Sequence, residues 1–352
     1  MPGFLAPALL TFLLALGLMP LTRAGARRVG LVAAPRRDRW HRTATPTVGG
    51  IGIFAAFALG AWLFCPPVAR AHHILIAAAV LFAAGLADDV VQLAPVAKLA
   101  IQVLAAAMVV GAGLQLPWTA HPAVNAAITL VWLVGITNAI NLLDNMDGLA
   151  AGIAAIACVF LTVTFVTNGQ LAEAALTMAL CGAVAGFLVF NFNPASIFMG
   201  DCGSMFLGSA LGGLALLSGY GRSRNLTAVV FTPVLILIIP ILDTCLVTVT
   251  RKLAGRPVSV GGRDHSSHRL VALGASERRA VVILYALATL SGLFALFVRG
   301  LESTLTVPAF AAFAAGMTLF GVFLGRVHLD VPAAREVPAE EPGHCATGRS
   351  VG

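Results

Sequence analysis

The sequence carries very little charge. Charged residues make up 11% of its 352 residues, hydrophobic residues make up 59%, and the mean hydropathy is +0.93. A soluble globular domain has roughly a quarter of its residues charged, so this composition excludes one. The six cysteines show no CxxC spacing, which disfavours a zinc site or a disulfide framework. No GxxxxGK[ST] stretch is present, which excludes a P-loop ATPase. The sequence therefore predicts a membrane protein without that nucleotide-hydrolysing loop.

Long apolar runs follow one another along the chain. A bilayer core of about 30 Å needs roughly 20 apolar residues per helix. Eleven runs approach this length, at 4–22, 48–64, 73–88, 97–114, 123–141, 149–167, 172–190, 203–219, 226–249, 280–298 and 303–324. They are continuous rather than alternating, which favours helices over barrel strands. We predict an all-α, polytopic membrane bundle of eleven transmembrane helices, with one catalytic domain at 1–325 and a disordered tail at 326–352.

The basic residues predict the orientation of this bundle. If the N-terminus lies outside, only four of the 22 lysines and arginines face the exterior, namely Arg70, Arg222, Arg224 and Arg299. The positive-inside rule then places the C-terminus in the cytoplasm of a multi-pass cell-membrane protein. A net charge of +7 on such a protein indicates loops that face anionic lipid or an anionic substrate, and no nucleic acid is expected.

Five polar clusters follow the odd-numbered predicted helices, so they all reach the cytoplasmic side. They are RDRWHRTATPTVGG (37–50), GLADDVVQLAPVAK (85–98), NAINLLDNMDGLAAG (138–152), NFNPASIFMGDCGS (191–204) and GGRDHSSHRL (261–270). A carboxylate at the membrane interface is costly unless a cation or a metal pairs with it. Any single acid in these clusters could cap a helix or pair with a loop arginine. Five loops with similar chemistry on one face predict one shared site.

The carboxylates in these clusters suit a hard divalent cation. Asp144 and Asp147, three positions apart, share one face if the helix extends this far. Asp201 stands between Gly200 and Gly203, where little side chain obstructs a bulky ligand. Magnesium takes one or two protein carboxylates and completes its shell with water and phosphate oxygens, so Mg²⁺ is the predicted cofactor, with Mn²⁺ as an alternative.

The remaining polar residues supply candidate bases and phosphate contacts. Asp88 and Asp89 are adjacent, so one could contact metal or act as a base while the other holds Lys98. Side chains with donors for phosphate oxygens are Arg263, His265, His268 and Arg269, and His41 could act similarly or anchor the interface. Metal carboxylates beside basic residues at a membrane surface predict phosphoryl transfer from a soluble phosphate donor to a lipid acceptor.

Residues 35 to 275 resemble the polyprenyl-phosphate N-acetylhexosamine-1-phosphate transferases. The most specific stretches are GLADDVVQLAPVAKLAIQ, NAINLLDNMDGLAAG and IFMGDCGS. The resemblance implies an eleven-helix fold and Mg²⁺-dependent attack of undecaprenyl or another polyprenyl phosphate on the β-phosphorus of a UDP-N-acetylhexosamine. The products would be a polyprenyl-diphospho-sugar and UMP, at the start of cell-envelope polysaccharide synthesis. The implied partners are both substrates and the membrane, and a homodimer is an open alternative.

The resemblance also implies roles for single residues. Asp147 and Asp201 match metal ligands, and Asp88 matches a candidate base on the lipid phosphate. Asp89, Lys98, Asn141 and Asp144 match supporting polar residues of the family. Of these, Asn141 is assigned to substrate binding, together with the arginines and histidines named above. Whether a base is needed stays open, because a phosphate oxygen is already ionised at neutral pH.

The chain departs from the family pattern at three positions. Asn145 stands where the family often has glycine, and Gln92 stands where some members have aspartate. The histidine motif, often His-x-His-His, reads HSSH here, with Ser267 in its middle. The Pro-x-His-His-His pattern of lipid I synthases is absent, and DHSSHRL is closer to the N-acetylglucosamine branch, which favours UDP-GlcNAc as the donor. UDP-GalNAc, a modified amino sugar and phospho-MurNAc-pentapeptide transfer are the alternatives.

A function of another class is an ion-coupled transporter. Asp243 lies within an apolar segment, PILDTCLVTVT, as a coupling site would. Transporter sites, however, lie near the bilayer midplane and often accompany internal repeats. Because the acids of this chain gather at one face, the enzyme is the favoured interpretation.

Overall fold

The computed structural model describes residues 3–33, 44–218, 226–257 and 262–328. These ranges are almost wholly helical. The helices are α1 (Leu5–Arg28), α2 (Gly49–Phe64), α3 (His72–Val91), α4 (Pro95–Gly111), α5 (Pro122–Leu143), α6 (Leu149–Thr167), α7 (Leu171–Asn191), α8 (Gly200–Leu216), α9 (Leu226–Ile236), α10 (Ile238–Leu253), α11 (Ser266–Ala272), α12 (Glu277–Arg299) and α13 (Ser303–Gly325). One antiparallel pair, β1 (Val32–Ala33) and β2 (Thr45–Pro46), is an exception to the all-α prediction in this part of the chain.

Each of the eleven predicted runs falls on a helix or, in one case, on two. Within the described ranges, seven helices are long and apolar enough to cross a membrane, or eight if the bent pair α9–α10 counts as one span. Helices α2, α4 and α8 have 16, 17 and 17 residues. At 1.5 Å per residue they are somewhat shorter than a bilayer core of about 30 Å. The polytopic helical fold is therefore confirmed, whereas the count of eleven spans and the orientation remain predictions.

The ninth apolar run is broken rather than continuous. Its two halves, Val230–Ile236 and Ile238–Leu253, meet at an angle of 72°. Prolines cannot donate the backbone hydrogen bond of a helix, and Pro233 and Pro240 stand on either side of the break. Ser291 of α12 donates its hydroxyl to the carbonyl oxygen of Leu235 at 2.6 Å, so a neighbouring helix satisfies a backbone acceptor beside the break.

Helix α8 lies at the centre of the bundle, and every residue from Cys202 to Leu216 is buried. Helix α3 packs closely against the first turn of α8, because Gly85 of α3 has no side chain. A Cβ at Gly85 would meet the backbone of Asp201 and Cys202. This close approach brings the C-terminal end of α3, with Asp88 and Asp89, next to the N-terminal end of α8.

The outside of the bundle is apolar, as a lipid-facing surface must be. Trp62 is 79% exposed, Leu104 70% and Leu253 84%. Polar clusters are instead concentrated at one end of the helices, where α3, α5, α7 and α10 finish and where α4, α6 and α8 begin. The fold thus gathers the loops that carry the predicted site residues.

Candidate active site

Asp89 caps the N-terminus of α8. Its Oδ1 accepts the backbone N–H of Asp201 at 2.8 Å and its Oδ2 accepts that of Cys202 at 3.0 Å. The first N–H groups of a helix have no partner within the helix, and a carboxylate there also complements the helix dipole. Gly200 has a φ of +73°, and a Cβ at this residue would lie 2.7 Å from Asp89 Oδ2. Asp89 therefore fixes the position of Asp201 through its backbone.

Lys98 joins two carboxylates to which the resemblance gives different roles, Asp88 as a candidate base and Asp201 as a metal ligand. Its Nζ lies 2.9 Å from Asp88 Oδ2 and 3.0 Å from Asp201 Oδ2. The other oxygen of Asp88 accepts the backbone N–H of Leu93 at 2.7 Å, just after α3 ends. Because one ammonium group contacts both acids, Asp88, Lys98 and Asp201 form a single charged cluster.

Asn141, in the last turn of α5, contacts the same cluster. Its Nδ2 donates to Asp201 Oδ1 at 3.1 Å and to the hydroxyl oxygen of Ser204 at 2.8 Å. Both oxygens of Asp201 thus accept hydrogen bonds, one from a lysine and one from an amide. The predicted grouping of Asp88, Lys98, Asn141 and Asp201 is what the structure shows, although their roles in a reaction are not thereby tested.

Asp144 and Asp147 lie in a loop and not on one helical face. Helix α5 ends at Leu143 and α6 begins at Leu149. Asp147 Oδ2 accepts the backbone N–H of Ala195 at 2.9 Å and the amide of Asn193 at 3.3 Å. Asp147 is therefore held by the segment between α7 and α8.

Asp144 has a different environment. Within the described residues, no N–H or O–H group donates to its carboxylate. Burial, followed by the nearby charges of Asp201, Asp147 and Asp89, raises the pKa of Asp144 to about 7. A raised pKa favours the protonated form of this carboxyl group, and a cation bound beside it would favour the ionised form.

A divalent cation fits this group of acids in one particular way. Among the described residues, no three Asp, Glu, His or Cys side chains come close enough to hold a metal by themselves. Mg²⁺ rarely requires such a cage, because it binds through one or two carboxylates and through substrate phosphates and water. The donor set therefore fits a metal that the protein and a diphosphate would share, and not a fully protein-ligated metal.

The loop 144–148 is anchored at its end by residues that the sequence analysis did not single out. The Gly148 N–H donates to Asn191 Oδ1 at 3.0 Å, and the Tyr285 hydroxyl donates to the Gly148 carbonyl oxygen. Asn193 Nδ2, besides contacting Asp147, donates to Glu277 Oε2 at 3.0 Å. Asn191 and Asn193 belong to the same polar cluster as Asp201, residues 191–204. Glu277 is the first residue of α12 and lies outside all five polar clusters.

The helix that carries the histidine motif is attached to Asp243. His265 Nδ1 lies 2.7 Å from Asp243 Oδ2, and Ser266 donates both its backbone N–H (2.7 Å) and its hydroxyl (2.6 Å) to Asp243 Oδ1. Asp243 is only 1% exposed. Asp243, which was the residue in favour of a transporter, therefore has a structural role, because it holds the start of α11.

Arg269 binds backbone carbonyl groups at the end of α13. Its guanidinium donates to the carbonyl oxygens of Asp264 (2.9 Å), Leu324 (3.0 Å) and Gly325 (3.2 Å). The last carbonyls of a helix lack partners within the helix and attract cations, so Arg269 stabilises the end of α13. The assignment of Arg269 to substrate phosphate stays a prediction. Asp264 also binds Arg251 through two oxygens, at 2.6 and 2.7 Å.

The other basic residues divide between described and undescribed parts of the chain. His41 lies outside the described residues, as does the predicted tail from residue 329 onward. Arg263 lies near Glu277 and His268, whose ionisation it influences. It remains a candidate for the predicted phosphate contact.

His268 is expected to make the protein sensitive to acid. Burial first, and then the charges of His265 and Arg263, lower the pKa of His268 from 6.5 to about 4. Well above pH 6.5 this residue is neutral in both the folded and the unfolded chain. As the pH falls below 6.5 the unfolded chain binds a proton that the folded chain does not, so stability is lost between pH 6.5 and pH 4. At pH 5 the loss is on the order of 2 kcal/mol.

Thermal unfolding in detergent at pH 7 and pH 5 measures this effect. His268→Gln should lose less stability than the wild type over this interval. His73→Gln, at an exposed histidine on α3, is the matched control and should behave like the wild type. Equal losses in the wild type and His268→Gln would contradict the assignment.

The chain is similar to known proteins along most of its length. Residues 71–219 match the model of glycosyl transferase family 4. The chain is 33% identical over 323 residues to a probable undecaprenyl-phosphate N-acetylglucosaminyl 1-phosphate transferase of Bacillus subtilis, covering 87% of this chain and 86% of the relative. It is also 33% identical over 301 residues to a decaprenyl-phosphate N-acetylglucosaminephosphotransferase of Mycobacterium tuberculosis, covering 74% of each.

A phospho-N-acetylmuramoyl-pentapeptide-transferase of Levilactobacillus brevis is 30% identical over 332 residues, covering 85% of this chain and 99% of the relative. The region that matches the family model, residues 71–219, includes Asp88, Lys98, Asp144 and Asp201. The chain belongs to glycosyl transferase family 4.

Proposed function

We propose that this protein transfers N-acetylglucosamine 1-phosphate from UDP-GlcNAc to undecaprenyl phosphate or another polyprenyl phosphate, releasing UMP. The observation that carries the proposal is the cluster of Asp88, Lys98 and Asp201 at one end of the apolar helices, with Asp144 beside it, whose carboxylate accepts no hydrogen bond from the described residues. A lipid acceptor reaches such a position from the membrane, and a soluble nucleotide-sugar reaches it from the aqueous side. Two relatives whose names specify N-acetylglucosamine support this donor.

In the proposed reaction an oxygen of the lipid phosphate attacks the β-phosphorus of the nucleotide-sugar. A new P–O bond forms there, and the bond from that phosphorus to the bridging oxygen breaks, so the oxygen leaves with UMP. Lys98 would neutralise charge where two anionic phosphates approach Asp88 and Asp201. Both oxygens of Asp88 already accept hydrogen bonds, and a phosphate oxygen is ionised at neutral pH. The role of Asp88 as a base stays a prediction.

Asp201 and Asp147 are the proposed ligands of Mg²⁺ (or Mn²⁺), and Asp144 joins them as a candidate because it lies close to both. When bound, the metal would supply charge neutralisation for the diphosphate. Asn141 would hold the Asp201 carboxylate in place. Arg263, His265 and His268 would face the phosphates from the other side. No role for Arg269 in substrate binding is proposed.

The test is turnover by purified protein with Mg²⁺, undecaprenyl phosphate and a panel of UDP-sugars. UMP release and lipid-linked product with UDP-GlcNAc are expected. Product with the UDP-MurNAc-pentapeptide instead would favour lipid I synthesis, for which the Levilactobacillus brevis relative gives some support. Solute uptake into liposomes without UMP release would favour a transporter. No turnover with any donor would refute the proposal.

We also propose that this site faces the cytoplasm of the cell membrane, with the N-terminus outside. The support is the distribution of basic residues, which leaves few on the opposite side. Reporter fusions after Arg42 and after Asp264 should both report the cytoplasm. A periplasmic signal from either fusion would reverse or break the proposed topology. A homodimer stays a prediction.

A further inference from the structure

A short hydrogen bond connects two motifs that are far apart in the chain. The Ser267 hydroxyl donates to Asn145 Oδ1 at 2.6 Å, across 122 residues of sequence. Ser267 has no exposed surface. The amide nitrogen of Asn145 donates to the carbonyl oxygen of Leu142 at 2.9 Å, which turns its oxygen toward Ser267. Both side chains are therefore held in one orientation.

Each partner stands between two charged or titratable groups. Asn145 lies between Asp144 and Asp147, and Ser267 lies between His265 and His268. The bond thus joins the middle of the carboxylate loop (residues 144–148) to the middle of the histidine motif (residues 265–268). The bond is thus a direct contact between the segment that carries two acids and the segment that carries two histidines.

The parts on either side of this bond are attached to different supports. The carboxylate loop is held through Gly148 by Asn191 and Tyr285. The histidine motif is held through His265 and Ser266 by Asp243 on α10. Two well-supported parts need a direct connection if their separation is to be fixed to a few tenths of an ångström, which catalysis of group transfer requires.

We propose that Asn145 and Ser267 are positioning residues that set the distance between the carboxylate loop and the histidine motif. This inference rests on the proposed function, because a diphosphate would lie between these two parts. The pair touches no reacting atom in this role. Its loss should therefore slow the chemical step more than it weakens substrate binding.

The experiment is a double-mutant cycle with Asn145→Ala, Ser267→Ala and the double variant, scored for kcat and for KM toward UDP-GlcNAc. Each single variant should lower kcat about 10-fold with a smaller change in KM, and the double variant should lose no more than the worse single one. Ser267→Thr keeps the hydroxyl and should restore kcat to within about 2-fold of the wild type. Amide hydrogen exchange in residues 144–148 should become faster in Ser267→Ala, with no substrate present.

Ser291→Ala is the matched control, because Ser291 is also fully buried and also donates a 2.6 Å hydrogen bond, but to Leu235 in the broken helix. It should lower the Tm to a similar extent and leave kcat unchanged. Independent, additive losses from Asn145→Ala and Ser267→Ala would overturn the inference. A normal kcat in both single variants, or equal kcat losses in Ser267→Ala and Ser291→Ala, would also overturn it. If the wild type shows no turnover, the proposed function fails instead, and hydrogen exchange still reports on the contact.

Discussion

Replacing Asp201 with asparagine is expected to lower kcat about 10³-fold. Asparagine has the same shape as aspartate, and the backbone N–H of residue 201 would still donate to Asp89, so α8 keeps its cap. What is lost is a negative charge that pairs with Lys98 at 3.0 Å and that we assign to the metal. The variant should therefore fold but fail to neutralise and orient the diphosphate.

UMP release across a range of Mg²⁺ concentrations measures this loss, and thermal unfolding checks that the variant is folded. Glu173→Gln is the matched control. It removes one carboxylate charge from the first turn of α7, at the end of that helix far from Asn191 and the site. The control should keep activity within about 2-fold of the wild type. Activity of Asp201→Asn close to that of the wild type would refute the metal assignment.

The second large effect is expected for Lys98→Met, which should lower kcat about 10²-fold. Methionine keeps most of the length and apolar body of lysine but leaves Asp88 and Asp201 facing each other without a cation. Like charges at this separation repel, so both carboxylates should move from the positions in which the single ammonium holds them. The side chain of Lys98 is 26% exposed, so the effect on stability should be small beside the effect on activity.

Steady-state kinetics with both substrates measures the effect of Lys98→Met. Lys252 is the chain's other lysine and is exposed at the end of α10, so Lys252→Met is the matched control and should be close to the wild type. Lys98→Arg should recover part of the lost activity, because it restores the charge with a different geometry. Equal activity of Lys98→Met and Lys252→Met would exclude a role for Lys98 in the reaction.

Much of the helical architecture could be predicted from hydrophobicity alone. An apolar run of about 20 residues has few stable alternatives to a helix in a bilayer. The break in the ninth run was signalled by Pro233 and Pro240 but was missed, because proline is tolerated in transmembrane helices and does not by itself show whether a helix kinks or ends. The pairing of Val32–Ala33 with Thr45–Pro46 depends on tertiary contacts that a two-residue pattern does not reveal.

The candidate site was predictable as a group but not in its internal arrangement. Topology alone placed Asp88, Asp89 and Asp201 at one end of the bundle. Which of the adjacent acids caps α8 depends on how α3 is rotated against it, and the sequence shows two identical residues. Similarly, Arg263 and Arg269 look alike in GGRDHSSHRL, yet Arg269 reaches carbonyl oxygens at the end of α13, 55 residues later at Leu324. Such long-range partners are invisible to motif analysis.

The cap that Asp89 provides to α8 has a consequence for how the protein is made. Asp88 can meet Lys98 as soon as ten further residues have been synthesised, whereas the backbone groups that Asp89 binds emerge 112 and 113 residues later. During synthesis, then, the partner of Asp88 is available early, whereas Asp89 has neither of these backbone partners until the first turn of α8 has been made. Nascent chains halted before residue 201 should consequently present an unpaired acid to the insertion machinery and to quality-control proteases. Chains released after α8 has docked should escape both.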